Sequence, residues 1–106
     1  MKITKANFDQ EVMQSPVPVL LDFWATWCGP CQMLSPIMDQ VEKDYAGRIK
    51  VGRVNVDEEP DLALSYFVGS IPTVILLHHG ERVNFSVGFM ERESIDLMLE
   101  EVLEEE

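Results

Sequence analysis

Apolar residues recur along the chain in two rhythms, and each change of rhythm marks an element. Val17 to Trp24 is nearly all apolar, broken only by Pro18 and Asp22, which suits a strand buried on both faces. Ahead of it, Asn7 is placed to N-cap a short helix, Phe8 to Gln14, that ends before Ser15-Pro16. From Cys31 to about Tyr45 the period is helical, through Met33, Leu34, Ile37, Met38 and Val41, with Gly47 as a stop signal. Pro36 inside this run removes the hydrogen bond to the Gln32 carbonyl and predicts a kink. Ile49 to Val56 alternates as a strand, and Pro60 opens a short helix to Tyr66. Thr73 to Leu77 and Arg82 to Val87 read as strands around a His79-Gly80-Glu81 turn, and Ser94 to Leu103 reads as a helix. Two strands joined by so short a loop are antiparallel. The order βαβαβαββα, a parallel unit followed by a hairpin, predicts a mixed central sheet with helices on both faces. With no internal repeat, low-complexity tract or linker, residues 1–106 read as one domain.

Composition narrows the function classes. The chain has 106 residues, 46% of them apolar, enough for a single core. Its N-terminus has no apolar run of signal-peptide length, and no stretch approaches the ~20 apolar residues of a membrane span. The expectation is a soluble, unexported, cytoplasmic monomer. A net charge of −11 disfavours nucleic acid and anionic membranes as partners. Seven of those excess negative charges fall between Glu91 and Glu106, which reads as a solvated helix face. Two cysteines separated by two residues make a poor structural staple, because closing so short a loop removes little chain entropy. Their purpose is therefore chemical.

Trp27-Cys28-Gly29-Pro30-Cys31 lies between the end of the buried strand and the start of a helix. Cys28 thus stands at the helix N-terminal edge, where unpaired amides and the helix dipole favour a thiolate, making it the more acidic thiol and the nucleophile. Cys31 is one turn deeper. Side chains three apart on a helix have Cβ atoms ~5–6 Å apart, whereas a disulfide wants ~3.8 Å, so a bridge forms with local adjustment. Gly29 leaves the approach to the sulfur uncrowded, and Pro30 fixes φ early in the helix. Asp22, set among Val19-Leu20-Leu21 and Phe23-Trp24, is poorly solvated and should have a raised pKa.

A rival reading makes the cysteines half of a zinc site completed by His78 and His79. Adjacent strand residues point to opposite faces, which argues against convergence on one metal, and the histidines read as exposed residues at a hairpin end. Trp24 reads as core and Trp27 as exposed and functional. Met33, Met38 and Met98 fit helical apolar stripes and read as gap filling.

The stretch Asp22-Phe23-Trp24-Ala25-Thr26-Trp27-Cys28-Gly29-Pro30-Cys31, followed by Pro36, and the stretch Tyr66-Phe67-Val68-Gly69-Ser70-Ile71-Pro72-Thr73 resemble the thioredoxin family. Asn55-Val56-Asp57, Gly80-Glu81 and Val87-Gly88 also fit, so the resemblance covers nearly the whole chain. It implies a thioredoxin-like α/β fold, a central mixed five-stranded sheet flanked by four helices in three α/β/α layers. It implies a protein-disulfide reductase in which Cys28 attacks a substrate disulfide and Cys31 resolves the mixed disulfide. It further implies a cis peptide bond between Ile71 and Pro72 beside the cysteines, and a flat apolar docking groove bordered by Trp27, Ile71 and Gly88. Asp22 would lie behind Cys31 and take its proton, through water if needed. Arg53 falls where the family often has a lysine, and would oppose the Asp22 shift if it reached that acid. The implied partners are disulfide-containing target proteins and a flavoprotein thioredoxin reductase carrying electrons from NADPH; the chain has no cofactor or metal motif of its own.

Three residues depart from the family pattern. Gln32 replaces the usual lysine or arginine after the second cysteine, which removes a positive charge near the thiolate. Glu59 stands for an asparagine before Pro60, and Glu91 stands where a hydroxyl cap is common; an acid at either helix start suits the dipole. Two other functions compete with disulfide reduction. One is a binding or chaperone module with incidental cysteines, opposed by the joint presence of Cys28, Cys31, Asp22 and Pro72. The other is a secretory-type oxidase or isomerase, opposed by Gly29-Pro30 where a histidine-bearing dipeptide would be expected.

Overall fold

The computed structural model describes residues 1–105; Glu106, the last acid of the charged segment, lies outside them. Four strands form one mixed sheet in the order β2-β1-β3-β4, with β1 at Val19–Trp24, β2 at Lys50–Asn55, β3 at Thr73–His78 and β4 at Glu81–Val87. β1 runs parallel to β2 and antiparallel to β3, and β3 pairs antiparallel with β4. The helices are α1 (Gly29–Asp44), α2 (Pro60–Ser65) and α3 (Arg92–Glu104), preceded by a π-helical segment at Asp9–Met13. Among the described residues, no helix is long and apolar enough to cross a membrane.

The alternation of β1 sorts its side chains between two cores. Leu20 packs with Leu34, Met38 and Val41 of α1 and with Ile95, Leu99 and Val102 of α3. Val19, Leu21 and Phe23 pack on the opposite face with Val12 of the π-helical segment and Leu62 and Ala63 of α2. Helices therefore cover both faces of the sheet, in three layers. Asp22 shares the α1 face with Leu20, since residues two apart on a strand point the same way.

The expected fifth strand is reduced to one bridge, Lys2 to Arg53. Arg53 donates to the Met1 carbonyl at 2.8 Å and accepts from the Ile3 amide at 2.9 Å. The chain then turns away, because the Thr4 amide donates to Asn7 Oδ1 at 2.8 Å. That bond also corrects the cap assigned to Asn7, whose side chain closes the preceding turn while the following segment coils as a π-helix. Four α-helices thus become three plus that segment.

Two smaller expectations also change. Met33 is 63% exposed, lying off the stripe formed by Cys31, Leu34, Met38 and Val41. His78 and His79 do not diverge: His79 leaves the strand with φ 54°, and its ring stacks on that of His78 at 4.0 Å. α1 continues through Pro36, and its C-terminal end is followed by Gly47 at φ 86°.

Candidate functional site

β1 ends at Trp24, and α1 begins at Gly29 after four intervening residues, so the site is a strand-to-helix turn. Cys28 is the N-cap of α1, with extended backbone (φ −93°, ψ 111°), and its Sγ accepts the Cys31 amide at 3.2 Å. The helix starts two residues earlier than its apolar stripe because this sulfur does the work of a capping oxygen. Cys28 and Cys31 are joined as a disulfide with Cα atoms 5.2 Å apart, and both are buried. Gly29 and Pro30 occupy the first turn and are exposed. A Cβ on Gly29 would meet nothing within 4 Å, so its small size relieves no internal clash.

A second segment closes on the disulfide. The Ile71–Pro72 peptide is cis, and the Ile71 carbonyl oxygen lies 3.7 Å from Cys28 Sγ. The Pro72 carbonyl accepts the Gly88 amide at 2.7 Å, and Gly88 has φ +99°, a conformation that favours glycine. Cys28, Ile71, Pro72 and Gly88 are thereby brought together from three parts of the sequence. Trp27 is 69% exposed beside Cys28 and is tethered separately, its Nε1 donating to Asp57 Oδ2 at 2.8 Å. Asn55 Oδ1 in turn accepts the amides of Asp57 at 2.9 Å and Glu58 at 3.3 Å, which orders that loop. Gln32 does not reach toward the thiols; its side-chain amide donates to the Thr26 carbonyl at 2.9 Å and braces the turn ahead of Cys28.

Behind the disulfide, a cleft of about 100 Å³ is lined by Asp22, Trp24, Cys31, Gln32, Ser35 and Arg53. Trp24, expected in the core, is half-buried and forms one of its walls. Asp22 is 2% exposed, and its Oδ1 has no hydrogen-bond partner. Burial pushes its pKa up to about 6, with the Arg53 charge opposing the shift. Arg53 sits beside Asp22 in the β1–β2 register but donates instead to Ser35 Oγ at 2.9 Å, to the Ser35 carbonyl at 3.2 Å and to Asp39 Oδ1. The cleft is large enough for a few water molecules, each of which needs about 30 Å³.

Ser35, Asp39 and Asp57 are beyond what sequence reasoning assigns. Asp57 carries a signal, since Asn55-Val56-Asp57 stands out as a matching stretch without a stated role. Ser35 and Asp39 are legible only as an i, i+4 pair on α1; their partner emerges from the register of β2. Among the described residues, no group of three or more His, Cys, Asp or Glu is gathered to hold a metal ion.

The arrangement has a close-set dithiol at a helix N-terminus, a backbone carbonyl beside the outer sulfur and a carboxyl sharing a cleft with the inner one. It can exchange a disulfide with another chain. A family model described as Thioredoxin matches residues 1–101. Thioredoxin 1 of Nostoc sp. is 44% identical over 102 residues, covering 96% of this chain and 95% of that protein. Thioredoxin of Rickettsia felis is 43% identical over 93 residues, 88% and 89% of the two chains. Thioredoxin 1 of Synechococcus elongatus is 48% identical over 86 residues, 81% and 80% of the two chains. The span matched by the family model, residues 1–101, contains both cysteines, the cis proline segment and the buried acid, and the chain belongs to the thioredoxin family of thiol–disulfide oxidoreductases.

Proposed function

We propose that the chain is a general protein-disulfide reductase in which Cys28 is the attacking thiol, Cys31 the resolving thiol and Asp22 the proton acceptor for Cys31. The observation that carries this reading is the asymmetry of the two sulfurs. Cys28 Sγ already receives an amide N–H at the positive end of α1, which stabilises a thiolate there. Cys31 lies inside the helix and lines the cleft that holds Asp22.

In the reduced protein, the Cys28 thiolate attacks one sulfur of a target disulfide. A Cys28–target bond forms, the target S–S bond breaks, and the leaving sulfur departs as a thiolate that takes a proton from solvent. Cys31 then gives its proton to the Asp22 carboxylate and attacks Cys28 Sγ. The Cys28–Cys31 bond forms as the Cys28–target bond breaks, the second target sulfur leaves as a thiolate that takes a proton, and Asp22 returns its proton to solvent. Two electrons thus pass to the target and the chain ends oxidised. With its pKa near 6, Asp22 is mostly ionised at neutral pH and basic enough to accept that proton. A thioredoxin reductase using NADPH returns two electrons to the pair.

The Ile71 backbone beside Cys28 offers an extended target segment hydrogen bonds by strand addition, with Trp27, Ile71 and Gly88 bordering the docking surface. Residues 1–106 act as one domain and as a monomer, in keeping with a net charge of −11. That charge also speaks against nucleic acid and anionic membranes. A cytoplasmic setting suits a chain whose two cysteines serve exchange rather than a structural bridge. Reduction of insulin with a dithiol as electron source tests the reading: catalytic precipitation of the freed insulin chains is expected, and a rate equal to the dithiol alone would reduce the protein to a binding module.

A further inference from the structure

Arg53 presents a choice between partners. It is the register neighbour of Asp22 on β2, within reach of a buried carboxyl whose Oδ1 has no partner. The guanidinium instead crosses to α1, held by Ser35 Oγ, the Ser35 carbonyl and the ion pair with Asp39. Ser35 and Asp39 are four residues apart and so lie on one face of the helix. Neither takes part in the exchange steps described above. Ser35, Arg53, Asp22 and Cys31 all line the same cleft, so the direction of one guanidinium decides whether the acid faces that space or a fixed cation.

We propose that Ser35 and Asp39 are positioning residues that hold the Arg53 guanidinium against α1, away from Asp22, and so keep the cleft between Asp22 and Cys31 open to proton transfer. The proposal rests on the reading of Asp22 as proton acceptor for Cys31. A guanidinium folded onto Asp22 would form a forked, charge-assisted pair in a poorly solvated site, hold the carboxylate ionised over a wider pH range and weaken it as a base. Tied to α1, Arg53 still lowers the Asp22 pKa through space, but burial outweighs it. Besides Asp22, the charged group lining the cleft is Arg53 from β2, and its ion-pair partner Asp39 of α1 lines the wider opening beyond it. The wider opening beyond Arg53 carries the amino terminus, Lys2, Glu42 and Glu58, with the amino terminus paired to Glu42 and Lys2 to Glu58. β3 presents only Val74 opposite Asp22.

The test is a set of full-length variants, Ser35→Ala, Asp39→Asn, the double variant and Arg53→Met, in which the Asp22 carboxyl is titrated by carbon NMR and the pH profile of insulin reduction is recorded. Ser35→Ala changes no charge, yet should lower the Asp22 midpoint, and the double variant should lower it by about one pH unit, as an opposite charge brought close does. The acidic limb of the rate profile should move by the same amount. In Arg53→Met the midpoint should rise, and adding Ser35→Ala should then change nothing, which isolates Arg53 as the intermediary. An unmoved midpoint in Ser35→Ala, with a shift only on Asp39→Asn, would reduce Asp39 to a distant charge and overturn the proposal. A midpoint that moves without the rate profile would sustain the clamp and overturn instead the proton-acceptor reading of Asp22.

Discussion

The amide of Cys31 points at the sulfur of Cys28 from 3.2 Å, so the backbone of the inner cysteine is placed to support a thiolate on the outer one once the disulfide is reduced. The two thiols therefore differ by position rather than by type. Cys28 has extended backbone outside the helix and Cys31 has helical backbone within it. Everything proposed about the order of events follows from that single turn of helix.

Asp22 should weaken the fold at neutral pH. Its pKa in the folded protein is about 6, above the ~3.9 of an unfolded chain, so the native state binds the proton more tightly. The contribution of Asp22 to stability is greatest below about pH 4, falls as pH rises toward 6 and is level above that. The loss is on the order of 3 kcal/mol, comparable to the ~1.5–3 kcal/mol gained by burying one leucine, and β1 buries Leu20 and Leu21 fully. That balance explains how the strand tolerates the acid. Asp22→Ala should unfold at higher urea concentration than wild type at pH 7, with a smaller gain at pH 4, and should reduce insulin more slowly. A variant less stable at pH 7 would mean that the carboxylate is well paired.

The Trp27–Asp57 bond should matter to protein substrates more than to chemistry. Removing Asp57 frees an exposed indole, at a net cost of about 1 kcal/mol for one hydrogen bond, or roughly a fivefold change. Asp57→Ala should therefore raise KM for insulin by about that factor while leaving kcat near wild type and altering Trp27 fluorescence. Unchanged KM together with altered fluorescence would remove Trp27 from the docking surface.

Gly52 is held small by the N-terminal segment. A Cβ there would come within 2.6 Å of Ile3 Cγ1 and 3.0 Å of Leu21 Cδ2. Overpacking of this kind costs about 1–3 kcal/mol. Gly52→Ala should lower the urea midpoint accordingly, while folded protein keeps its reductase rate, because the crowded face is the one away from α1. An unaltered midpoint would show that the Lys2 bridge adds nothing to the native state.

The parts of the fold legible in the sequence are those where burial imposes a period. β1, α1, β2 and the β3–β4 hairpin all follow from their apolar spacing, and the paired positive φ of His79 and Gly80 gives the tight turn its form. The N-terminus is different. Ile3 is its only fully buried side chain before Val12, so a single bridge and a side-chain-closed turn replace the expected strand and cap. At the site, Cys28, Cys31 and Asp22 stand out because each violates its surroundings, a thiol pair at a turn and an acid in an apolar strand. Ser35, Asp39 and Asp57 violate nothing locally. Each is an ordinary polar residue until β2 and its following loop bring Arg53 and Trp27 to it.

The central claim is that Cys28 attacks and Cys31 resolves, and trapping tests it most directly. Cys31→Ser and Cys28→Ser are each reduced, mixed with a disulfide-bonded peptide and examined by mass spectrometry. Cys31→Ser should accumulate a mixed disulfide on Cys28, because nothing remains to release it, whereas Cys28→Ser should accumulate none and reduce no insulin. A mixed disulfide on Cys31 of the Cys28→Ser protein, with none on Cys28 of the other, would reverse the assignment and contradict the account.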